Sequence, residues 1–195
     1  MAKNILIITG SPRKGGNSNQ LAEAFAQGAR EAGNDVEIFS TADNPVLPCR
    51  ACECCWTKGT ACVFDDGFKT LAPALEKADV VVFATPVYWF TFSAEIKSAI
   101  DKLYAFMTEE GAGKLHVSKS YLIFSAEATN ENGYFDGIIA SYEQICGYLE
   151  WEIGDILIAD GLGAKDAIQT RPELLEKAKE LGKNPSQELR ILSQW

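Results

Sequence analysis

The sequence has a single histidine, His116, in a loop after Gly113-Lys114, where it reads as exposed and inert; no Ser/His/Asp or Cys/His set for nucleophilic catalysis can be assembled. Excess positive charge is missing too. Eighteen Lys and Arg stand against 27 Asp and Glu, a formal net charge of −9, which argues against nucleic acid and anionic membrane as partners, since both attract cationic surfaces. No apolar run approaches the about 20 residues of a bilayer span; the longest, Ile5–Ile8 and Val80–Ala84, have strand length. Met1-Ala2-Lys3-Asn4 leads into a very short apolar run with no small-residue cleavage pattern, so no secretory signal is expected and a cytoplasmic location is. In a reducing cytoplasm six cysteines point to redox or metal chemistry rather than to a disulfide framework. With 47% hydrophobic residues, intrinsic disorder is excluded. The 195 residues fit one domain, 1–195, large enough to bury roughly 70% of its unfolded surface without staples.

What is present is alternation. Short apolar runs at Asn4–Thr9, Val36–Phe39, Asp79–Thr85, Ser120–Ser125 and Ile153–Ala159 predict strands. Stretches of helical period lie between them: from Ser18 to a stop at Gly33, Phe68–Lys77, Ser93 to about Met107, Phe135–Leu149, and Pro172 to about Gly182. Five strands separated by helices imply a doubly wound parallel α/β sheet, because parallel neighbours need crossovers and helices must cover both faces. A cysteine-, proline- and glycine-rich segment at about 44–67 interrupts the rhythm. Ligands in such sheets bind beyond the carboxyl ends of the strands, which singles out the loops Gly10–Ser18, Pro86–Phe92 and Ala126–Tyr134.

The first loop, Gly10-Ser11-Pro12-Arg13-Lys14-Gly15-Gly16-Asn17-Ser18-Asn19, joins a buried strand to a helix. It can aim backbone N–H groups at an anion, add the Ser11 and Ser18 hydroxyls and the Arg13 charge, and draw on the positive end of the helix behind it. A merely tight glycine turn is the competing reading. Gly10 and Gly15 have P-loop spacing, but Gly16 and Asn17 occupy the Lys and Ser/Thr positions. The dinucleotide fingerprint fails at Pro12, and the Cys-x5-Arg loop of small tyrosine phosphatases is absent. A terminal phosphomonoester remains.

Gly10-Ser11-Pro12-Arg13-Lys14, then Asn17-Ser18 and Leu21, resembles the FMN-phosphate loop of the NAD(P)H-dependent FMN reductase family within the flavodoxin-like fold. Thr85-Pro86-Val87-Tyr88-Trp89, followed by Lys97 and Asp101, resembles the same family's second signature, and the likeness runs over nearly the whole chain. It implies a three-layer sandwich around a five-stranded parallel sheet of order 2-1-3-4-5. It also implies FMN held through its phosphate at Ser11, Arg13, Asn17, Ser18 and Asn19, NAD(P)H as electron donor, and a small acceptor such as a quinone or flavin. A homo-oligomer, dimer or tetramer, is implied as well, with the flavin ring near the interface.

For the ring, Pro86-Val87-Tyr88-Trp89-Phe90 offers flat apolar faces and backbone groups for the heteroatoms. Tyr88, Trp89 and Phe90 could equally plug the end of the sheet, or Trp89 and Phe90 face a partner subunit. By analogy Ser125 and Ala126 edge the other side of the flavin.

Five of the six cysteines fall within fourteen residues. Cys49, Cys52, Cys55 and Cys62 give Cys-x2-Cys-x2-Cys-x6-Cys, and x2 spacings let thiolates converge on one centre. The pattern resembles the cysteine motif of iron–sulfur flavoproteins, which implies a [4Fe–4S] cluster and an electron-transfer role as the alternative to a reductase. Zinc and free or reversibly oxidised thiols compete with it. Cys54 is extra, and Cys146, in a predicted helix, reads as ordinary core. Asp65-Asp66 and Glu109-Glu110 read as solvated surface or helix caps.

Overall fold

From Ile5 to Ile8 every side chain is a large aliphatic, leaving no face for water, and the strand formed there sits inside a sheet covered on both sides. In the computed structural model, which describes residues 2–59, 61–108 and 115–185, that strand is β1 (Asn4–Thr9). The chain continues through α1 (Asn17–Glu31), β2 (Asp35–Ser40), α2 (Cys54–Thr57), α3 (Phe68–Lys77), β3 (Val80–Tyr88), β4 (Thr91–Phe92) and α4 (Ala94–Asp101). β5 (Lys119–Ser125), α5 (Asp136–Leu149), β6 (Glu152–Ala159) and α6 (Pro172–Lys183) follow. Five strands run parallel in the order β2-β1-β3-β5-β6, the order expected for the five predicted strands, and β4 is an antiparallel addition to the end of β3.

The two-residue period of a strand sorts the core into two halves. Ile5, Ile7, Val80, Val82 and Ile123 face Leu21, Phe25 and Ala29 of α1 and Ala178 of α6. Leu6, Ile8, Val81, Phe83, Leu122 and Phe124 face α3, α4 and α5. Helices therefore cover both faces, in three layers. On the first face α1 and α6 pack backbone to backbone: a methyl on Gly28 would stand 1.9 Å from the Lys179 carbonyl oxygen, and one on Gly182 would stand 2.0 Å from that of Phe25.

Three expectations change. The helix predicted from Ser93 to Met107 is α-helical only to Asp101 and continues as a 3₁₀ helix over Lys102–Phe106. The tighter winding eclipses residues three apart, so that Lys102 and Ala105 both face the cysteine segment. The predicted loop Pro86–Phe92 is a hairpin, Val87 and Tyr88 pairing with Phe92 and Thr91. Asp66 caps α3, its Oδ1 accepting from the Phe68 N–H at 2.9 Å, but it is not solvated surface: its side chain is 3% exposed and ion-paired to the equally buried Lys102. Cys146 is buried and His116 exposed, as expected; Glu109 and Glu110 lie outside the described residues. Among the described residues no helix is long and apolar enough to cross a membrane.

Candidate functional site

The carboxyl ends of β1, β3 and β5 lie side by side, and the three expected loops leave from them. The first is anchored at its root: the Gly10 N–H donates to the Ala84 carbonyl (2.8 Å), and the Ser93 hydroxyl donates to the Gly10 carbonyl (2.6 Å). Ser93 is also the N-cap of α4, and a methyl on Gly10 would meet Ile96 Cβ at 2.6 Å. Contact this close holds the loop at a set height above the sheet. Beyond it the Arg13 N–H donates to Ser11 Oγ (3.2 Å) and the Gly16 N–H to the Arg13 carbonyl (2.8 Å), curling the loop toward the start of α1.

No side chain caps α1. Its first intrahelical bond is Gln20 N–H to the Gly16 carbonyl, so the amides of Asn17, Ser18 and Asn19 have no acceptor within the helix. Ser18 is 1% exposed, and its hydroxyl, like Asn19 Oδ1, is buried with no hydrogen-bond partner. An orphaned hydroxyl beside unpaired helix N-terminal amides is a built preference for an anion. Asn17 does something the sequence does not announce. Its Nδ2 donates to the carbonyls of Leu162 (3.3 Å) and Ala164 (2.8 Å), and its Oδ1 accepts from the Ile168 N–H (3.0 Å). Its side chain is thereby spent on tying the segment after β6 to the head of α1, leaving its amide for a ligand.

The second loop is strained. Trp89 and Phe90, the two residues of the hairpin turn, have φ of 47° and 67°. Two positive φ values mark the type I′ geometry that Asn-Gly normally occupies, and each such residue costs about 1–3 kcal/mol in a bulky side chain. Trp89 is nonetheless 91% exposed and Phe90 53%; a sheet plug would be buried. Pro86 and Val87 are half-buried beneath them, and Tyr88 is exposed. The third loop closes on this turn: the Phe90 and Tyr134 rings lie 5.7 Å apart, and Gly137 at the head of α5 approaches the Phe90 carbonyl. Ser125 and Ala126 are buried at its root, where the Ala126 N–H donates to the Ala159 carbonyl at 3.0 Å. Lys97 and Asp101 pair with each other along exposed α4.

A model of the NADPH-dependent FMN reductase family matches residues 3–134. The chain belongs to that family, and is an oxidoreductase of it. An iron–sulfur flavoprotein of Archaeoglobus fulgidus is 27% identical over 186 residues, 90% of this chain and 75% of that protein. One of Methanosarcina thermophila is 33% identical over 95 residues, 49% of each chain, so the matched stretch is about half of that relative. The structure of an NAD(P)H:quinone oxidoreductase from Methanothermobacter marburgensis superposes with a TM-score of 0.77 over 97% of this chain and 100% of that one, at 18% identity. This last likeness shows the shared flavodoxin-like fold. The family's FMN fits what the first loop holds: unpaired amides, an orphaned buried hydroxyl and an exposed arginine suit a phosphate dianion.

The cysteine segment forms a second candidate centre on the α3–α5 side of the sheet. Cys49, Cys52, Cys55 and Cys62 all line one small cavity of about 30 Å³, walled also by Arg50, Phe64, Lys102 and Tyr104. Trp56 pins the segment down, stacked on Tyr104 (ring centroids 4.9 Å apart) and donating its indole N–H to the Tyr104 carbonyl at 3.1 Å. The Cys54 amide, with the Cys54 thiol and more distant Arg50, draws the Cys52 thiol below its ordinary range. Burial raises that of Cys55, helped by the neighbouring sulfurs of Cys49, Cys52 and Cys62, and the Cys52 sulfur raises that of Cys54. Among the described residues no three His, Cys, Asp or Glu side chains converge as a single metal ion would need.

Proposed function

We propose that the chain is one flavodoxin-like unit that binds FMN and carries electrons from NAD(P)H to a small acceptor such as a quinone or free flavin. Ser11, Arg13, Ser18, Asn19 and the Asn17 amide would hold the phosphate; Pro86, Val87, Tyr88, Trp89 and Phe90 would shape the ring pocket, with Ser125 and Ala126 at its far edge. When bound, the flavin would supply the redox chemistry, hydride and electron transfer. The chain's own part is placement. Strained aromatics held rigidly by β3 and β4 give the ring a preformed face, and the loop's amides fix one end of the ligand so the other has one orientation. No side chain needs to move a proton, which agrees with the missing catalytic set.

The observation that carries this reading is the uncapped head of α1 with the buried, unpartnered Ser18 hydroxyl. The test is a titration with FMN and riboflavin, followed by flavin fluorescence. FMN should bind at least tenfold more tightly than riboflavin; equal affinities would remove the phosphate cradle and the reading with it. The turn's exposed Trp89 suits cover by a second copy of the chain.

One observation favours a second reading, an iron–sulfur flavoprotein acting as an electron-transfer module. The four spaced cysteines line one cavity, as the ligands of a shared cluster would. Iron and sulfide analysis of anaerobically purified protein, with Cys55→Ser as the control that loses both, decides it.

A further inference from the structure

Charge is divided unevenly over the carboxyl end of the sheet. From Val80 to Ile96, through the whole β3–β4 hairpin, the chain has no Lys, Arg or His, and from Tyr121 to Ala164 it has eight acidic residues and again no basic one. Four of the eight stand where strands end: Glu127 just after β5, Glu131 in the loop beyond, Asp136 at the head of α5 and Asp160 directly after β6. The loop holds three of them. Glu131 Oε1 accepts from the Thr129 hydroxyl (3.0 Å), Asp160 Oδ2 accepts from the Asn130 N–H (3.0 Å), and a methyl on Gly133 would stand 2.5 Å from an Asp136 carboxylate oxygen. Among the described residues none of the four is ion-paired. The cations bordering these stretches are engaged or distant: Lys14 pairs with Asp43, Lys97 with Asp101, and Lys119, at the amino end of β5, with Glu152. Lys165 is followed by Asp166. The same loop sets Tyr134 against Phe90, so the exposed rings of Tyr88, Trp89, Phe90 and Tyr134 share this end of the sheet with the carboxylates. Aromatic faces carry negative potential, which repels an anion and attracts a cation.

We propose that this end of the site selects the electron acceptor by charge, admitting uncharged or cationic planar aromatics and turning away anionic ones. The inference rests on the reductase reading above and narrows its acceptor: an uncharged quinone or riboflavin qualifies, and free FMN or an aromatic sulfonate does not. With a quinone the balance is NAD(P)H and one proton in, NAD(P)⁺ and hydroquinone out; the hydride's electron pair passes to the quinone, and its two carbonyl oxygens each end as a hydroxyl. A cleft lined by one sign of charge changes the encounter rate of a charged ligand by about 10- to 1000-fold, and salt removes the effect. Arg13 does not offset the carboxylates, because a bound flavin phosphate would take up its charge. A second copy seated on Trp89 would bring a surface of the same sign, each copy carrying a net −9.

Riboflavin and FMN make a matched pair of acceptors, sharing one ring system and differing in the phosphate. FMN-loaded protein is supplied anaerobically with saturating NAD(P)H and either acceptor, and NAD(P)H loss is followed. At about 0.01 M salt kcat/KM should favour riboflavin by about tenfold or more, and the ratio should close toward one by about 1 M, as the screening length falls from about 30 Å to about 3 Å. 1,4-Naphthoquinone and its 2-sulfonate should divide in the same way. The double change Glu127→Gln and Glu131→Gln, at two exposed positions, should raise kcat/KM for FMN as acceptor several-fold and leave riboflavin and naphthoquinone as they were. Equal values for riboflavin and FMN, a ratio that ignores salt, or a double variant that shifts charged and uncharged acceptors alike would each overturn the selection while leaving the reductase reading intact. No turnover of any acceptor by protein that still binds FMN would overturn both.

Discussion

Ser18 concentrates the difference between what folding wants and what binding wants. A buried hydroxyl without a partner costs the desolvation of that group, about 1–3 kcal/mol, and nothing in the ligand-free chain returns it. Ser18→Ala should therefore leave the thermal midpoint of the FMN-free protein unchanged or higher, while weakening FMN by about 1.5–3 kcal/mol, the worth of a hydrogen bond to a charged group. A variant that unfolds more easily and binds as before would mean the hydroxyl serves the core instead. Arg13 is exposed, so Arg13→Ala should spare stability and lower FMN affinity by about 10- to 100-fold. Riboflavin, having no phosphate, should be indifferent to both changes. The sequence by itself offers the hydroxyl and the guanidinium as candidates to bind a phosphate. That the Asn17 side chain belongs to the fold was not, because its partners are Leu162, Ala164 and Ile168, and no local pattern reports a contact across some 150 positions.

The β3–β4 hairpin is the element where local rule and observed structure part. Its turn requires positive φ twice and receives Trp and Phe, without the glycine or asparagine that would have announced it. That is why the sequence reads as an open loop there. Replacing Trp89-Phe90 by Asn-Gly should relieve the strain and raise stability by about 1–3 kcal/mol, read as a higher urea midpoint. It should also weaken FMN binding, since the exposed faces go with the side chains. A variant more stable and equally tight would return the aromatics to a purely structural or subunit-facing role. The change of winding after α4 is likewise outside a periodicity reading: the stripe of Ile96, Ile100 and Leu103 is consistent with α-helix, but Lys102 has to face inward to reach Asp66.

At the scale of the molecule, the Asp66–Lys102 pair fastens the cysteine segment to the layer of helices beneath it. Asp66 also accepts from the Leu47 and Phe68 amides, each at 2.9 Å, and Lys102 lines the cysteine cavity. Burial pushes the Asp66 carboxyl up, but the Lys102 ammonium and those two amides outweigh it and hold the group below its ordinary 3.8. A carboxyl depressed in the folded state contributes its full stability above the unfolded value, and that contribution goes as the pH falls from about 3.9 through the lower folded value. Asp66→Asn strands a buried ammonium and should cost about 3–5 kcal/mol at neutral pH. Urea unfolding across pH should show the loss below about pH 4 in the parent and a flatter curve in the variant; parallel curves would mean that other carboxyls set the acid limb. The α1–α6 contact gives a second check: Gly28→Ala must push the two backbones apart and should lower the thermal midpoint without changing the ring pocket.

Uninterrupted aliphatic runs alternating with helical periods determine, by themselves, that strands are buried on two faces and joined by crossovers. Parallel order, three layers and loops gathered at one end of the sheet all follow from that, and with them the place where an anion should sit. These are consequences of which side chains avoid water, a property each segment carries alone. Tertiary structure alone decided which polar groups found partners. Asn17 found the far end of the chain, Asp66 found Lys102 thirty-six positions away, Ser18 found none, and four of the cysteines came to wall one cavity. Such pairings depend on distances set only after both layers have closed on the sheet, and a one-dimensional pattern has no means of recording them.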